Sequence, residues 1–436
     1  MDNHQINQCL LNGNINIPGV LPHLDSLKLV NFIFKQDFGL PTLPTNPGVI
    51  LIRGPRQYGK STWLEQQIAL TIKQFGKGSA LYLNGDEIKD HKQLIEEIRI
   101  LIALFPETSE IKRLFIDEIT AVFNWQKAVK RLIDAGEMEN ILLVTTGSKA
   151  TDLRRGVEML PGRKGKLLRT NYIFTPISYT EFKNKCVDFF KSDSLYAYIL
   201  SGGSPVGANA IADAGKLPEY ITAIVHDWIN GEFSASGRSR SHLLPILQSL
   251  YKMAGTPIGQ AKLARESGLS NNTVAFGYIE LLADLMTVIP VFPYDHDRKI
   301  SIFRKPCKYH FINLLMALSW HPKKPRTIEE LKQLGEDLGP IFEWVVAQEI
   351  WRKLCISSKE NLPDHLNFWQ SKEHEIDFIL PEKQIYIEVK KGGYSSIDFI
   401  WFLKSFKKSS LTVINQNNFN SQRINGITLE EFLLEK

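Results

Sequence analysis

The sequence predicts an α/β fold, a parallel sheet with helices on both faces followed by smaller units. Three observations predict it. Short continuous apolar runs at 49–53, 80–83, 114–116 and 141–145 alternate with amphipathic stretches, as strands buried on both faces and joined by helices do. A loop bounded by Gly54 and Gly59 follows the first run, and two adjacent carboxylates, Asp117 and Glu118, end the third. At 436 residues the chain exceeds what one core usually holds, and the length favours about three domains.

The first 45 residues are mixed, with a helix expected around 24–37 and then the proline-rich LPTLPTNPG. The first apolar strand leads into Gly54-Pro55-Arg56-Gln57-Tyr58-Gly59-Lys60-Ser61-Thr62, a full G-x-x-x-x-G-K-[ST] match. The two glycines let the backbone curl so that N–H groups of 54–62 point at phosphates, helped by the N-terminus of the helix that follows. Lys60 supplies a point charge to the β- and γ-phosphates, and the Ser61 hydroxyl ligates Mg²⁺. ATP with Mg²⁺ is therefore the expected cofactor. Asp117 is expected to hold that Mg²⁺ through water, and Glu118 to polarise the attacking water. The extra strand between the phosphate loop and this acidic pair indicates the ATPase branch of P-loop proteins.

The next strand ends in Thr146-Gly147-Ser148-Lys149, where Thr146 or Ser148 is placed to hold the water or the γ-phosphate. A basic stretch follows with Arg154, Arg155, Arg163, Lys164, Lys166 and Arg169. Arg163 is the choice for an arginine that reaches the γ-phosphate of its own copy or of a neighbouring one, so a homo-oligomer stays open. GPRQYGKST, LFIDEI, TTGSKATDL, the LPGR turn and ISYTEF together resemble a large prokaryotic family of AAA-like ATPases. That resemblance spans about residues 45–400 and is strongest in the P-loop domain. It implies a winged helix and a restriction-endonuclease-like C-terminal domain.

The chain carries a net charge of +5, with 43% hydrophobic and 23% charged residues, the composition of an ordinary globular protein. The charge is uneven. Residues 237–324 hold twelve Lys/Arg against five Asp/Glu, a local +7 that leaves −2 elsewhere. Such a segment suits an acidic partner, DNA first. Cys9, Cys186, Cys307 and Cys355 form no CxxC pair, which argues against a zinc or disulfide framework and fits a reducing cytosol. The N-terminus lacks the basic start and apolar run of a signal peptide. No apolar stretch approaches the ~20 residues of a membrane helix. A cytoplasmic protein without a membrane partner is expected.

Four segments are expected: a P-loop domain over 1–190, a helical lid over 191–236, a winged helix-turn-helix over 237–322 and a small α/β domain over 323–436. Residues 231–240 and 321–326 read as linkers. Within the third segment, 243–251, 258–267 and 271–283 read as helices, with Ser270 as the cap of the last, and 288–292 and 299–304 read as a wing hairpin. Asn271, Asn272, Thr273 and Tyr278 would line the recognition helix, and Arg298, Lys299, Arg304 and Lys305 the wing. Contacts from these to phosphates would hold DNA without reading its sequence.

The last segment reads as one long helix, three or four strands and a further helix. In it, Glu375-Ile-Asp377 and Glu388-Val-Lys390 sit on two alternating runs. A turn centred on Glu382-Lys383 sets Asp377 opposite Glu388, with Cβ atoms ~5 Å apart, and Lys390 shares a face with Glu388. Two carboxylates beside a lysine suit a second divalent metal that activates water against a phosphodiester. Glu343, with Glu349 as the fallback, is the third acidic candidate. The pattern looks like the core of the PD-(D/E)xK nucleases, with Ile376 where proline is frequent. Two rival readings stand beside ATP-driven DNA cleavage: a regulatory ATP switch whose later domains bind only protein, and a DNA-binding ATPase that does not cleave.

Overall fold

The computed structural model describes residues 1–148, 166–269, 271–358 and 362–435. They form two compact units, Met1–Thr175 with Cys355–Leu362, and Pro176–Leu354 with Pro363–Lys436. The expected boundaries after 190, 236 and 322 do not coincide with this division.

In the first unit, α1 (Asn3–Asn12) opens on a capping box between Asp2 and Gln5. Its Asn7 side chain accepts from the Tyr82 N–H and donates to the Tyr82 carbonyl, at 2.8 and 2.7 Å. The helix thereby covers a strand edge that would otherwise offer open hydrogen bonds. The helix expected over 24–37 is shorter: α2 covers Pro22–Ser26, a 3-10 turn covers Leu27–Leu29, and Val30 is already extended. Val30, Phe32, Ile33 and Phe34 are β-branched or aromatic and lose rotamer freedom in a helix.

Strand β1 (Gly48–Arg53) leads into α3 (Lys60–Phe75), followed by β2 (Ala80–Asn84), α4 (His91–Leu104), β3 (Lys112–Asp117), α5 (Trp125–Asp134), β4 (Ile141–Gly147) and β5 (Asn171–Ile173). The strands form a parallel sheet in the order β2-β3-β4-β1-β5. The parallel sheet with helices between its strands is the one the alternating runs predict; only the short β5 was not anticipated. Val49 and Leu51 of β1 pack into one apolar layer with α4 and α5, while Ile50 and Ile52 pack into the other with α1 and α3. Burial on both faces is why these strands read as unbroken apolar runs. Because Arg53 pairs with Gly147 and Ile116 with Thr145, β1, β3 and β4 end at one level, the edge where α/β sheets bind ligands.

The second unit opens with helices Tyr179–Phe190, Ser194–Ser201, Pro205–Ala214 and Glu219–Ala235. The last of these overruns the expected linker at 231–240, and only 236–239 connect it to the next helix. Helices Arg240–Lys252, Gln260–Glu266 and Asn272–Asp284 follow. Ser270 lies outside the described residues, and the last helix is capped by Asn271, whose side chain accepts from the Thr273 N–H at 2.8 Å. Next come β6 (Val288–Asp295), β7 (Ile300–Ser301) and β8 (Lys308–Phe311). The second wing strand, expected over 299–304, is only two residues long.

After the long helix Leu338–Ser357 come β9 (Leu366–Gln370), β10 (Glu375–Leu380), β11 (Ile385–Val389), β12 (Ser410–Ile414), β13 (Phe419–Ser421) and β14 (Ile424–Ile427), more strands than anticipated. They join one sheet in the order β13-β14-β12-β11-β10-β9-β6-β7, with β8 also paired to β6. The parallel β6–β9 pairing, Val291 beside Leu366, is why no boundary falls at 322: backbone hydrogen bonds run straight across it. Among the described residues, no helix is long and apolar enough to cross a membrane.

Candidate functional site

The phosphate loop is fixed by backbone geometry. Gly59 has φ +93°, and a Cβ on Gly54 would stand 2.8 Å from Phe174, so both positions require glycine. Tyr58 is buried, and its carbonyl accepts from the Gln36 side chain at 3.2 Å. Pro55 is buried, Arg56 is exposed, and Gln57 sits at φ +68°. Lys60 opens α3 with its side chain buried, and its amine donates to the Gly54 and Pro55 carbonyls, each at 2.9 Å. Burial lowers the pKa of this amine, and nearby Glu118 and Asp117 partly offset the effect. Ser61 and Thr62 follow in the same turn, half-buried.

The acidic pair is held from β4. The Thr146 hydroxyl donates to the Asp117 carboxylate and accepts from the Glu118 N–H at 3.2 Å. Ser148 donates twice to Glu118 Oε2, through its N–H at 3.1 Å and its hydroxyl at 3.0 Å. Thr146 and Ser148, alternatives in the sequence, thus hold one carboxylate each. Glu118 sits at φ +47°, an uncommon conformation for a residue with a side chain. Arg154, Arg155, Arg163 and Lys164 lie outside the described residues. Arg169 is tied down: its guanidinium donates to the Asn171, Cys355 and Ile356 carbonyls and lies over the Tyr172 ring.

Sequence reasoning missed Glu65. It lies on α3, buried, and accepts from the Leu24 N–H at 2.9 Å with His23 Nδ1 at 3.3 Å, which fastens the N-terminal segment to the phosphate-loop helix. Burial pushes its carboxyl up from the ordinary 4.5 to about 7, despite hydrogen bonds that act the other way. The folded chain therefore holds this proton more tightly than the unfolded one. The group's contribution to stability is complete below pH 4.5 and is lost as the pH rises through 7. Glu65→Gln keeps an acceptor and removes the charge. It is expected to melt with wild type at low pH and roughly 2–4 °C above it at pH 8, as ~1 kcal/mol would give in a unit of this size. Scanning calorimetry at pH 4.5 and 8 checks the sign; a variant that melts lower at pH 8 contradicts it.

In the second unit, the β10–β11 register pairs Phe378 with Ile387, which continues to Asp377 opposite Glu388. Both are buried. The Asp377 N–H donates to Glu388 Oε2 at 3.2 Å, the Val389 N–H donates to Asp377 Oδ2 at 3.0 Å, and Lys390 Nζ stands 2.5 Å from Glu388 Oε1. Glu343, on the long helix, is mostly buried and faces this pair. Burial raises the carboxyls of Glu343 and Glu388, and the Asp377 charge raises them further. Glu349 is otherwise engaged, in a two-point ion pair with Arg352 at 2.8 Å.

No sequence pattern pointed to Lys308 and His310. Lys308, with its side chain 1% exposed, donates to Asp377 Oδ1 at 3.0 Å and pairs with Glu375. Burial works against its charge, but Asp377, Glu343 and Glu375 more than compensate and raise its pKa. Beside it, His310 is fully buried with neither ring nitrogen hydrogen-bonded, and burial pushes its pKa down to about 3. Among the described residues, no three His, Cys, Asp or Glu side chains are grouped so as to hold a metal ion.

On the surface of this unit, Asn271, Asn272, Thr273, Arg298, Lys299, Arg304 and Lys305 are exposed. Tyr278 is not: it is 2% exposed and donates its hydroxyl to the Ser239 carbonyl at 2.7 Å, so it belongs to the core and not to a contact surface.

Residues 46–183 match the family model described as "AAA domain", and residues 338–432 match one described as "Domain of unknown function (DUF4143)". An uncharacterized protein of Methanocaldococcus jannaschii is 29% identical over 380 residues, 82% of this chain and 77% of that protein. Among solved structures, the Walker-type ATPase of Pyrococcus abyssi aligns with a TM-score of 0.42 at 12% identity, covering 73% of this chain and 95% of its own. DnaA from Aquifex aeolicus bound to AMPPCP aligns at 0.29 and 12%, covering 63% and 91%. With its parallel sheet, phosphate loop and acidic strand end in place, the chain carries an AAA-like domain of P-loop ATPase fold.

Proposed function

We propose that the protein binds ATP with Mg²⁺ at residues 54–62 and hydrolyses it, and that its nucleotide state governs a DNA-directed activity of the second unit. One observation carries the reading. The buried Lys60 cation, the Asp117–Glu118 pair and the two hydroxyls that hold that pair stand at the ends of three adjacent parallel strands. Ser61 and Asp117 are hard oxygen donors of the kind magnesium takes, and the ion supplies charge neutralisation at the phosphates. Glu118 takes the proton of the attacking water, Thr146 and Ser148 keep the two carboxylates apart, and Arg163 serves as the arginine of its own or a neighbouring copy. Purified protein is expected to release phosphate from ATP with Mg²⁺ and to stop when EDTA is added. No release above the buffer blank would overturn the assignment.

In this reading, residues 237–322 act as a winged helix and residues 323–436 as a nuclease-like module. The exposed cations at 298–305 and the polar start of helix Asn272–Asp284 supply phosphate contacts. Reversing Arg298 and Lys299 to Glu is expected to weaken DNA binding and to lower its salt slope by roughly one unit per lost phosphate contact. Fluorescence anisotropy across a salt series reads this. An unchanged slope would favour the rival in which the second unit contacts only protein.

A further inference from the structure

The two facing carboxylates of the second unit are tied to donors of this chain. Asp377 Oδ1 accepts from Lys308 Nζ at 3.0 Å, and Asp377 Oδ2 accepts from the Val389 N–H at 3.0 Å. Glu388 Oε1 meets Lys390 Nζ at 2.5 Å, and Glu388 Oε2 accepts from the Asp377 N–H at 3.2 Å. Every oxygen of the pair already has a donor. Lys308 and Lys390 stand against Asp377 and Glu388, while Glu375 shares Lys308 and Glu343 faces the pair.

We propose that Lys308 is a built-in cation that takes the place of a divalent metal at Asp377 and Glu388, so that the second unit is a non-cleaving module. Three features support this. First, Lys308 is among the most buried charged side chains of the described residues, and a charge so placed must be paired or it destabilises the fold. Asp377 and Glu375 are its partners, so it cannot leave without stranding charge on both sides. Second, its position is fixed from several directions. It sits on β8, where its backbone pairs with Val291 of β6, and its amine lies 5.2 Å from the centre of the Phe368 ring on β9. Third, a metal bound to Asp377 would stand ~2–2.5 Å from a carboxylate oxygen. At Oδ1 that would put it against an ammonium 3.0 Å from the same oxygen, while Oδ2 is held by the Val389 N–H, in an interior with little water to screen the repulsion. The residues present therefore do not fit a divalent ion, although Asp377, Glu388 and Lys390 match the spacing of a cleavage site.

The test is Mn²⁺ binding to full-length, nucleotide-free protein, read from the free-ion signal by electron paramagnetic resonance. Wild type and Asp377→Asn should give the same isotherm. Wild-type Mn²⁺ binding that Asp377→Asn removes would overturn the proposal, whatever the other variants do. Lys308→Met keeps the length of the side chain and removes its charge, leaving Asp377 unpaired. It is expected to gain one Mn²⁺ site at least 30-fold tighter than any in wild type, abolished by adding Asp377→Asn. A folded Lys308→Met protein that gains no site would also overturn the proposal. Should Lys308→Met not fold, the comparison of wild type with Asp377→Asn still decides. The ATPase assignment is untouched by either result, because its residues lie in the first unit.

Discussion

Glu118→Gln is expected to bind ATP with nearly wild-type affinity and to lose turnover by ~10²–10⁴-fold, the range over which a positioned general base contributes. The argument is one of atoms. Glu118 Oε2 already accepts two hydrogen bonds from Ser148, which leaves Oε1 as the oxygen available to a water. In the glutamine variant the amide oxygen can keep both Ser148 bonds, so the side chain stays where it is. The group then presented to the water is an NH2, which donates and cannot take a proton. Backbone at φ +47° is retained, and Lys60 and the loop are unaltered, so the phosphates lose nothing. The variant should hold ATP unhydrolysed. Single-turnover phosphate release and a fluorescent-nucleotide titration measure the two halves separately. Hydrolysis at the wild-type rate would move the base role to another group.

The first site was legible because its chemistry is contiguous. A glycine loop must carry its glycines in order, and an acidic pair at a strand end announces itself by the apolar run before it. The second site was only half legible. Asp377, Glu388 and Lys390 lie within one hairpin, whose register follows from counting residues across a turn. Lys308 lies 69 residues from Asp377 in sequence, and no local pattern links them. In the sequence, Lys308-Tyr-His310-Phe alternates polar and apolar residues, the pattern of a half-exposed strand. All four residues are buried, and the parallel β6–β9 pairing that brings β9 and β10 into the same sheet is a contact no turn signal encodes. Tyr278 was readable in hindsight: it shares the helical spacing of the apolar residues Ala275, Ile279 and Leu282, all buried. Its chemistry drew attention away from its periodicity. The shortened helix at 22–29 is a different case: of residues 30–34, four are β-branched or aromatic and have poor helix propensity.

Lys60→Ala should abolish measurable ATP binding, and it should do so without cost to the empty protein. The amine is fully enclosed and held only by the Gly54 and Pro55 carbonyls among the contacts described for it. Its pKa is depressed by that burial, even with Asp117 and Glu118 near. A charge kept out of water at a net penalty does not stabilise the loop that holds it. What it is suited to is a phosphate, where the same desolvation strengthens a charge-assisted contact. Removing it should therefore leave the melting temperature of the nucleotide-free protein unchanged or slightly raised. The stabilisation by ligand should vanish. Wild type at about 100 times its dissociation constant gains ~2.7 kcal/mol from ATP, whereas Lys60→Ala, with affinity reduced at least ~100-fold, gains less than ~0.5 kcal/mol at the same concentration. Thermal melts with and without MgATP, on both proteins, give all four numbers. If the variant keeps the full ligand-induced shift, the phosphates are bound elsewhere. If the empty variant melts far lower, Lys60 is a structural residue and the loop's role must be argued anew.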